Sequence, residues 1–167
     1  MASKLVEDPR IDPRIKAIFG VVELPALPSV SSREELLEQE NSEAALAGAA
    51  GLKAFLETMG TEEAAPSTGL SIRTERFTSS PDGNTVNIQF IRPDNDQILP
   101  CVYYIHGGGM QFLSCYDGNY RAFGRMIAAQ GVAVAMVDFR NALHASSAPE
   151  VAPFPAGLND CVSGLKW

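Results

Sequence analysis

The run Tyr103-Tyr104-Ile105-His106-Gly107-Gly108-Gly109 constrains this chain more than any other stretch. A short apolar segment, Val102 to Ile105, has the β-branched and aromatic content of a strand and runs straight into a histidine and three glycines. Glycine gives up more backbone freedom on folding than any other residue. Three in a row are therefore kept where main chain must pass very close to another group. One arrangement with that need is an oxyanion hole, in which main-chain N–H groups face a developing negative oxygen. Such a hole serves a nucleophile, yet the Gly-x-Ser-x-Gly motif that presents one on a strand-to-helix turn occurs nowhere in the 167 residues.

Length and charge narrow the function classes. A chain of 167 residues suits one domain with a real core, and 46% hydrophobic with 20% charged residues is ordinary for a globular protein. A net charge of −7 argues against nucleic-acid binding, which needs a basic face, and fits poorly with an anionic membrane surface. No stretch reaches the roughly 18 to 20 apolar residues of a membrane span. The first ten residues, Met1 to Arg10, are too polar for a signal peptide, so the expected location is cytoplasmic. Cys101, Cys115 and Cys161 are odd in number and have no paired spacing, which points to neither a disulfide framework nor a zinc site. Cys101 and Cys161 are expected to be buried fillers. Cys115 lies near the glycine loop but has no basic neighbour in sequence to lower its thiol pKa.

The chain changes character near residue 65. Before it, the pattern is helical and rather acidic. Asp12-Pro13-Arg14 reads as a helix start, with Ile15, Ile18 and Phe19 on one side, and Pro25 and Pro28 break the chain. Ser32-Arg33-Glu34-Glu35 has capping-box spacing before Leu36 and Leu37. A further helix carries Leu52, Phe55, Leu56 and Met59 up to Gly60. Thr61 to Thr68 has linker composition. Beyond it, Leu70 and Ile72 alternate with Ser71 and Arg73, Pro81-Asp82-Gly83 makes a turn, and Val86, Ile88 and Phe90 alternate with Thr85, Asn87 and Gln89 as far as Pro93. That is a half-buried antiparallel hairpin. Cys101 to Ile105 and Val132 to Val137 are continuous apolar runs, as in parallel strands covered on both faces. Between them Tyr120, Phe123 and Ile127 mark a helix ending near Gly131. A last helix begins around Pro155 and carries Leu158, Cys161, Val162 and Leu165. Strand-helix alternation of this kind predicts an α/β sheet.

These residues resemble the hormone-sensitive-lipase-like family of α/β-hydrolases. His106-Gly107-Gly108-Gly109 is similar to the family's oxyanion loop, and Val137-Asp138-Phe139-Arg140 to its Asp-Tyr-Arg strand end. Ala148-Pro149-Glu150 with Pro153-Phe154-Pro155-Ala156 resembles the Ala-Pro-Glu and Pro-Phe-Pro-Ala elements that follow. The resemblance implies the N-terminal portion of an α/β-hydrolase. Residues 1–65 would be a helical cap segment, and residues 66–167 a β-hairpin followed by β-α-β-α of the central sheet. It departs from the family at Ala142 to Ser147, an insertion-like stretch where the family usually runs straight on.

By that resemblance, Gly108 and Gly109 donate the oxyanion-hole N–H groups, while His106 and Gly107 support the loop. The nucleophile, acid and base are absent from this chain. His106 and His144 are its two histidines, and neither matches the family's catalytic one. Asp138 and Arg140 are read as an ion pair fixing loops. Ser114, Ser146, Ser147 and Ser163 lack an evident base and so are weak nucleophiles. No cofactor or metal is implied. The implied function is carboxylic-ester hydrolysis of small-molecule esters by the complete parent through a serine acyl-enzyme, with the 167 residues alone inactive. The alternative is a non-catalytic, hydrolase-derived protein that binds a ligand or partner. Without a further neighbour, the strand Val102 to Ile105 would be an exposed edge, so self-association is expected there.

Overall fold

Among the described residues, four strands form one mixed sheet in the order β1-β2-β4-β3. Their bounds are β1 Leu70–Thr78, β2 Thr85–Pro93, β3 Cys101–Ile105 and β4 Ala133–Asp138. Among the described residues six helices accompany them: α1 Lys4–Glu7, α2 Pro13–Phe19, α3 Arg33–Glu40, α4 Glu43–Thr58, α5 Gly118–Ala128 and α6 Ala156–Lys166. The computed structural model describes residues 4–20 and 29–167, so the break expected at Pro25 and Pro28 lies outside the described residues. The chain divides into two compact units, Met1–Leu36 and Leu37–Trp167.

In the first unit, Asp12 caps α2 by accepting a hydrogen bond from the Arg14 N–H at 2.8 Å, with Pro13 in the first turn. Ser32 starts α3 by accepting from the Glu35 N–H at 3.1 Å. The reciprocal half of the capping box is shifted by one residue, because the Glu35 carboxylate accepts from the N–H of Ser31. Ile15, Ile18 and Phe19 are exposed.

In the second unit, β1 and β2 pair antiparallel through the turn at Pro81-Asp82-Gly83, where Gly83 takes up a φ of 76°. β2 continues antiparallel onto β4, and β3 runs parallel to β4 with Ile105 opposite Val137. Every residue of β4 is buried, as its continuous apolar run predicts. Its side chains alternate between two cores. Ala135 and Val137 join Phe77, Val86, Ile88, Phe139 and Cys161 on one face, and Val134 and Met136 join Ile91, Cys115 and Ala128 on the other. Linker composition at Thr61 to Thr68 conceals a fixed segment. Ala65 is buried, and Arg125 donates to the Gly60 carbonyl at 2.6 Å.

Several expectations about faces are corrected. β2 is an interior strand, so Gln89 is buried beside Ile88 rather than facing water, while Ile72 on β1 is exposed. β3 is the sheet edge and is covered less than expected. Cys101 at its start is exposed, not a buried filler, whereas Cys161 is buried. The helices bury only part of their expected stripes. α5 packs Tyr120 and Ile127 on the core together with Gly124 and Ala128 and leaves Phe123 exposed, while α6 buries Cys161 with Ala156, Gly157 and Gly164 and exposes Leu158, Val162 and Leu165. Close approach is the reason. A Cβ on Gly124 would lie 2.5 Å from the Met136 sulfur, and one on Gly164 would lie 2.5 Å from the Tyr103 hydroxyl. On α4, Leu56 is buried, but Leu52, Phe55 and Met59 are exposed. α4 meets α5 at Gly118, where a Cβ would strike the Leu56 carbonyl at 2.6 Å.

Candidate active site

β3 delivers His106 to the C-terminal end of the parallel pair, level with Asp138 on β4. This is where an α/β sheet places ligands. Beyond His106 the backbone turns left-handed at Gly108 (φ 109°), Gly109 (φ 63°), Met110 (φ 57°) and Leu113 (φ 75°). Gly108 has no substitute, since a Cβ there would meet the Phe112 carbonyl oxygen at 2.1 Å. The loop closes on itself through the Gly108 carbonyl, which accepts from the Gln111 N–H at 3.0 Å. Neither the Gly108 N–H nor the Gly109 N–H bonds to another described residue.

His106 is buried beneath this loop. Its Nδ1 lies 2.8 Å from the Gly107 carbonyl oxygen, which can accept but not donate, so Nδ1 carries the proton. Nε2 then faces Asp138 Oδ1 at 4.0 Å, beyond hydrogen-bond range. Burial pushes the His106 pKa below its usual 6.5. The Gly107 carbonyl and the charges of Asp138 and Asp117 oppose that shift without cancelling it. Its ring stacks on Phe139 on one side and tilts against Tyr120, 5.5 Å away between centroids.

Asp138 and Arg140 do not pair with each other, which corrects the expected ion pair. Asp138 anchors loops: Oδ1 accepts from the Ser114 hydroxyl at 2.6 Å and the Cys115 N–H at 3.1 Å, and Oδ2 accepts from the Ser147 N–H at 2.8 Å and from the Ser147 hydroxyl. Arg140 instead grips Asp160 on α6 through Nε at 2.9 Å, and reaches Asp82 at 2.8 Å and Glu150 at 3.1 Å. The Ser114 hydroxyl thus meets a carboxylate rather than an imidazole, and burial pushes the Cys115 thiol strongly up, so neither is an activated nucleophile. His144 sits 3.3 Å from Glu40 and contacts no serine among the described residues. Ser163 accepts from the N–H of Ser80, and the Ser146 hydroxyl oxygen is buried without a partner among the described residues.

The insertion-like stretch lies against the far side of the glycine loop. The N–H groups of Ala142, Leu143 and His144 donate to the carbonyls of Met110 and Gln111 at 2.9 to 3.1 Å. Asn141 donates to the Leu113 carbonyl at 2.7 Å. Nothing in the local sequence pattern marks Asn141 or Asp160, both of which are fully buried. A groove of about 310 Å³ among Thr68, Leu70, Pro93, Asn95 and Ala129 lies at the opposite end of β4, away from this chemistry. Among the described residues no cluster of side chains could hold a metal ion, and no helix is long and apolar enough to cross a membrane.

No protein-family model matches the chain. Among solved structures, esterase Est22 is 63% identical with a TM-score of 0.95, over all of this chain and 48% of its own. Brefeldin A esterase, a bacterial homologue of human hormone-sensitive lipase, is 32% identical with a TM-score of 0.75, over 96% of this chain and 44% of its own. The chain belongs to the hormone-sensitive-lipase-like α/β-hydrolases, a family of carboxylic-ester hydrolases. Its α/β fold matches part of that family's structures. The likeness extends to tuliposide A-converting enzyme b1 of Tulipa gesneriana, 25% identical over 157 residues. The chain spans about half the length of the solved esterases and 30% of the tulip enzyme.

Proposed function

We propose that this chain supplies the oxyanion-hole portion of an ester hydrolase of the serine acyl-enzyme type, acting on small-molecule esters. The observation that supports this reading best is the pair of unengaged N–H groups at Gly108 and Gly109, held in left-handed backbone beyond a parallel strand. Two donors fixed in advance at that point suit the negative oxygen of a tetrahedral intermediate, and removing one such donor typically costs about 10²- to 10³-fold in rate. His106, neutral and buried, braces the loop through Gly107 and is not the base. The attacking serine, its histidine and its acid come from residues outside these 167, and the helices of residues 1–65 act as a cap segment. In that reaction the serine oxygen bonds to the ester carbon and passes its proton to the histidine. The alcohol then leaves with that proton, and water releases the acid.

The experiment is labelling with a fluorophosphonate probe, alongside hydrolysis of short p-nitrophenyl esters. The 167-residue chain is expected to show neither labelling nor turnover, because both imidazoles are engaged away from its serines. The protein translated from the complete transcript is expected to be labelled at one serine. A complete product that labels nowhere overturns the reading and favours the alternative, a non-catalytic ligand- or partner-binding hydrolase relative. Labelling of the 167-residue chain at Ser114 overturns the placement of the nucleophile outside it.

A further inference from the structure

Four residues of the glycine loop have positive φ, and two of them, Met110 and Leu113, are not glycines. A bulky side chain in left-handed backbone is strained, and such strain persists where the surroundings over-determine the conformation. What holds each of these residues is specific. The Met110 carbonyl accepts from the Ala142 N–H at 2.9 Å, and the Leu113 carbonyl accepts from Asn141 Nδ2 at 2.7 Å. Between them, the Gln111 carbonyl accepts from both Leu143 and His144. One segment directly after β4 thus fastens the three residues whose conformation sets the end of the loop. Asn141 is the sole contributor that acts through its side chain. It is fully buried, and its own carbonyl is fixed by the Ala152 N–H at 3.0 Å, so it has little freedom to adjust.

We infer that Asn141 is a positioning residue for the oxyanion loop: its amide holds Leu113 in left-handed backbone and so keeps Gly108 and Gly109 aimed outward. This rests on the reading of Gly108 and Gly109 as oxyanion donors. Asn141 touches no reacting atom. Its amide nitrogen faces a carbonyl, which fixes the orientation of the group, and leucine, of similar size, would fill the space without making that bond. The inference carries a signature that plain core packing lacks. If the amide exists to hold a strained Leu113, replacing Leu113 with glycine, which adopts positive φ freely, should remove most of the need for it.

The test is a double-mutant cycle on the full 167-residue chain, read by amide hydrogen exchange of residues 107–113 against the amides of β2 and β4. Asn141→Leu is expected to speed exchange in the loop by about tenfold while β2 and β4 keep their protection, as loss of one buried hydrogen bond would do. On a Leu113→Gly background, the same substitution is expected to change loop exchange by no more than about twofold. Equal effects on both backgrounds, or losses shared evenly by loop and sheet in a variant that stays folded, overturn the inference. If Asn141→Leu unfolds the chain, as β2 and β4 would report, Asn141→Ser is read through the same cycle with the same criteria. The cycle is silent on what Gly108 and Gly109 bind, so its failure leaves the ester-hydrolase reading to the labelling experiment, and the reverse holds too.

Discussion

The imidazole of His106 lies flat on the phenyl ring of Phe139, with 4.2 Å between ring centroids and 10° between planes. Phe139 is fully buried and closes the core between β4 and α6, so a single side chain supports both the sheet and the loop that leaves it. Phe139→Ala is expected to cost about 3–5 kcal/mol, the range for deleting a buried aromatic, read as a shift in the urea midpoint. Phe139→Leu, which keeps most of the volume, should cost less but still loosen the loop. Hydrogen exchange at Gly107 and Gly108 separates that loosening from the loss of global stability.

His106 makes stability depend on pH in one direction. Its folded pKa lies below 6.5 because the ring is buried, while the unfolded chain titrates near 6.5. The unfolded state therefore binds the proton first as pH falls, and stability declines from about pH 6.5 down to the lowered folded value. Above pH 6.5 this contribution is complete. His106→Asn is expected to flatten that part of the stability-against-pH curve measured by urea melts, and two-dimensional NMR should show the His106 ring titrating later than that of a model peptide. A His106 resonance that titrates above 6.5 would contradict the burial argument.

The order of the strands could be read in the sequence, whereas the faces of strands and helices could be read only in part. The apolar run at β4 reflects burial on both faces, while the alternation along β2 holds only as far as Ile88, because the interior position of the strand buries Gln89 and Ile91 on its second face as well. Phe123, Leu158 and Val162 share the helical spacing of Tyr120, Cys161 and Ile127, yet the latter three pack on the core, beside Gly124, Ala128 and Gly164, while the former three are exposed. Periodicity weights bulk, while close helix-to-sheet contact selects for its absence. In the site, the glycine loop could be read because three glycines are locally costly. The partners of Arg140 could not, since Asp82 and Asp160 arrive from 58 and 20 residues away. Asn141 looked like one more polar residue after a strand, and its role depends on a carbonyl 28 residues distant.

Gly107 tests how tightly the loop is walled in. A Cβ there would stand 2.7 Å from the Tyr120 hydroxyl oxygen, and the next ring carbon is 3.8 Å off. Gly107→Ala is therefore expected to cost about 1–3 kcal/mol as overpacking. Combining it with Tyr120→Phe, which removes the one offending atom, should recover most of that loss. Thermal melts of the two single variants and the double close the cycle. Simple additivity would mean that the clash is relieved elsewhere.

Arg140 and Asp160 form a buried pair between the end of β4 and α6. Breaking such a pair from one side leaves an uncompensated charge, at a cost of about 3–5 kcal/mol. Arg140→Met is expected to reach that range, while the double change with Asp160→Leu should cost less than the sum of the single variants. Burial alone would raise the Asp160 pKa, but the hydrogen bonds and charge of Arg140 outweigh it and hold the carboxyl below 3.8. That part of the stability is present above the unfolded carboxyl pKa and is lost as pH falls below about 3.9. Asp160→Asn should shift the acid-unfolding midpoint, followed by circular dichroism.

The free edge of β3 bears on the state of the chain in solution. Among the described residues β3 pairs on one side, with β4, and its Val102 and Ile105 are 38% and 49% exposed. No charged residue or proline lies within Cys101–Ile105 to discourage pairing. Edge strands of that kind pair with a like edge, and a second copy offers the same row of N–H and C=O groups in reverse order. Self-association at micromolar concentration is therefore expected in sedimentation velocity. Val102→Lys, which puts a charge on the edge without touching the buried strands, should shift the chain towards monomer. A wild-type chain that sediments as a monomer across that range would show that the exposed edge of β3 does not pair with a second copy.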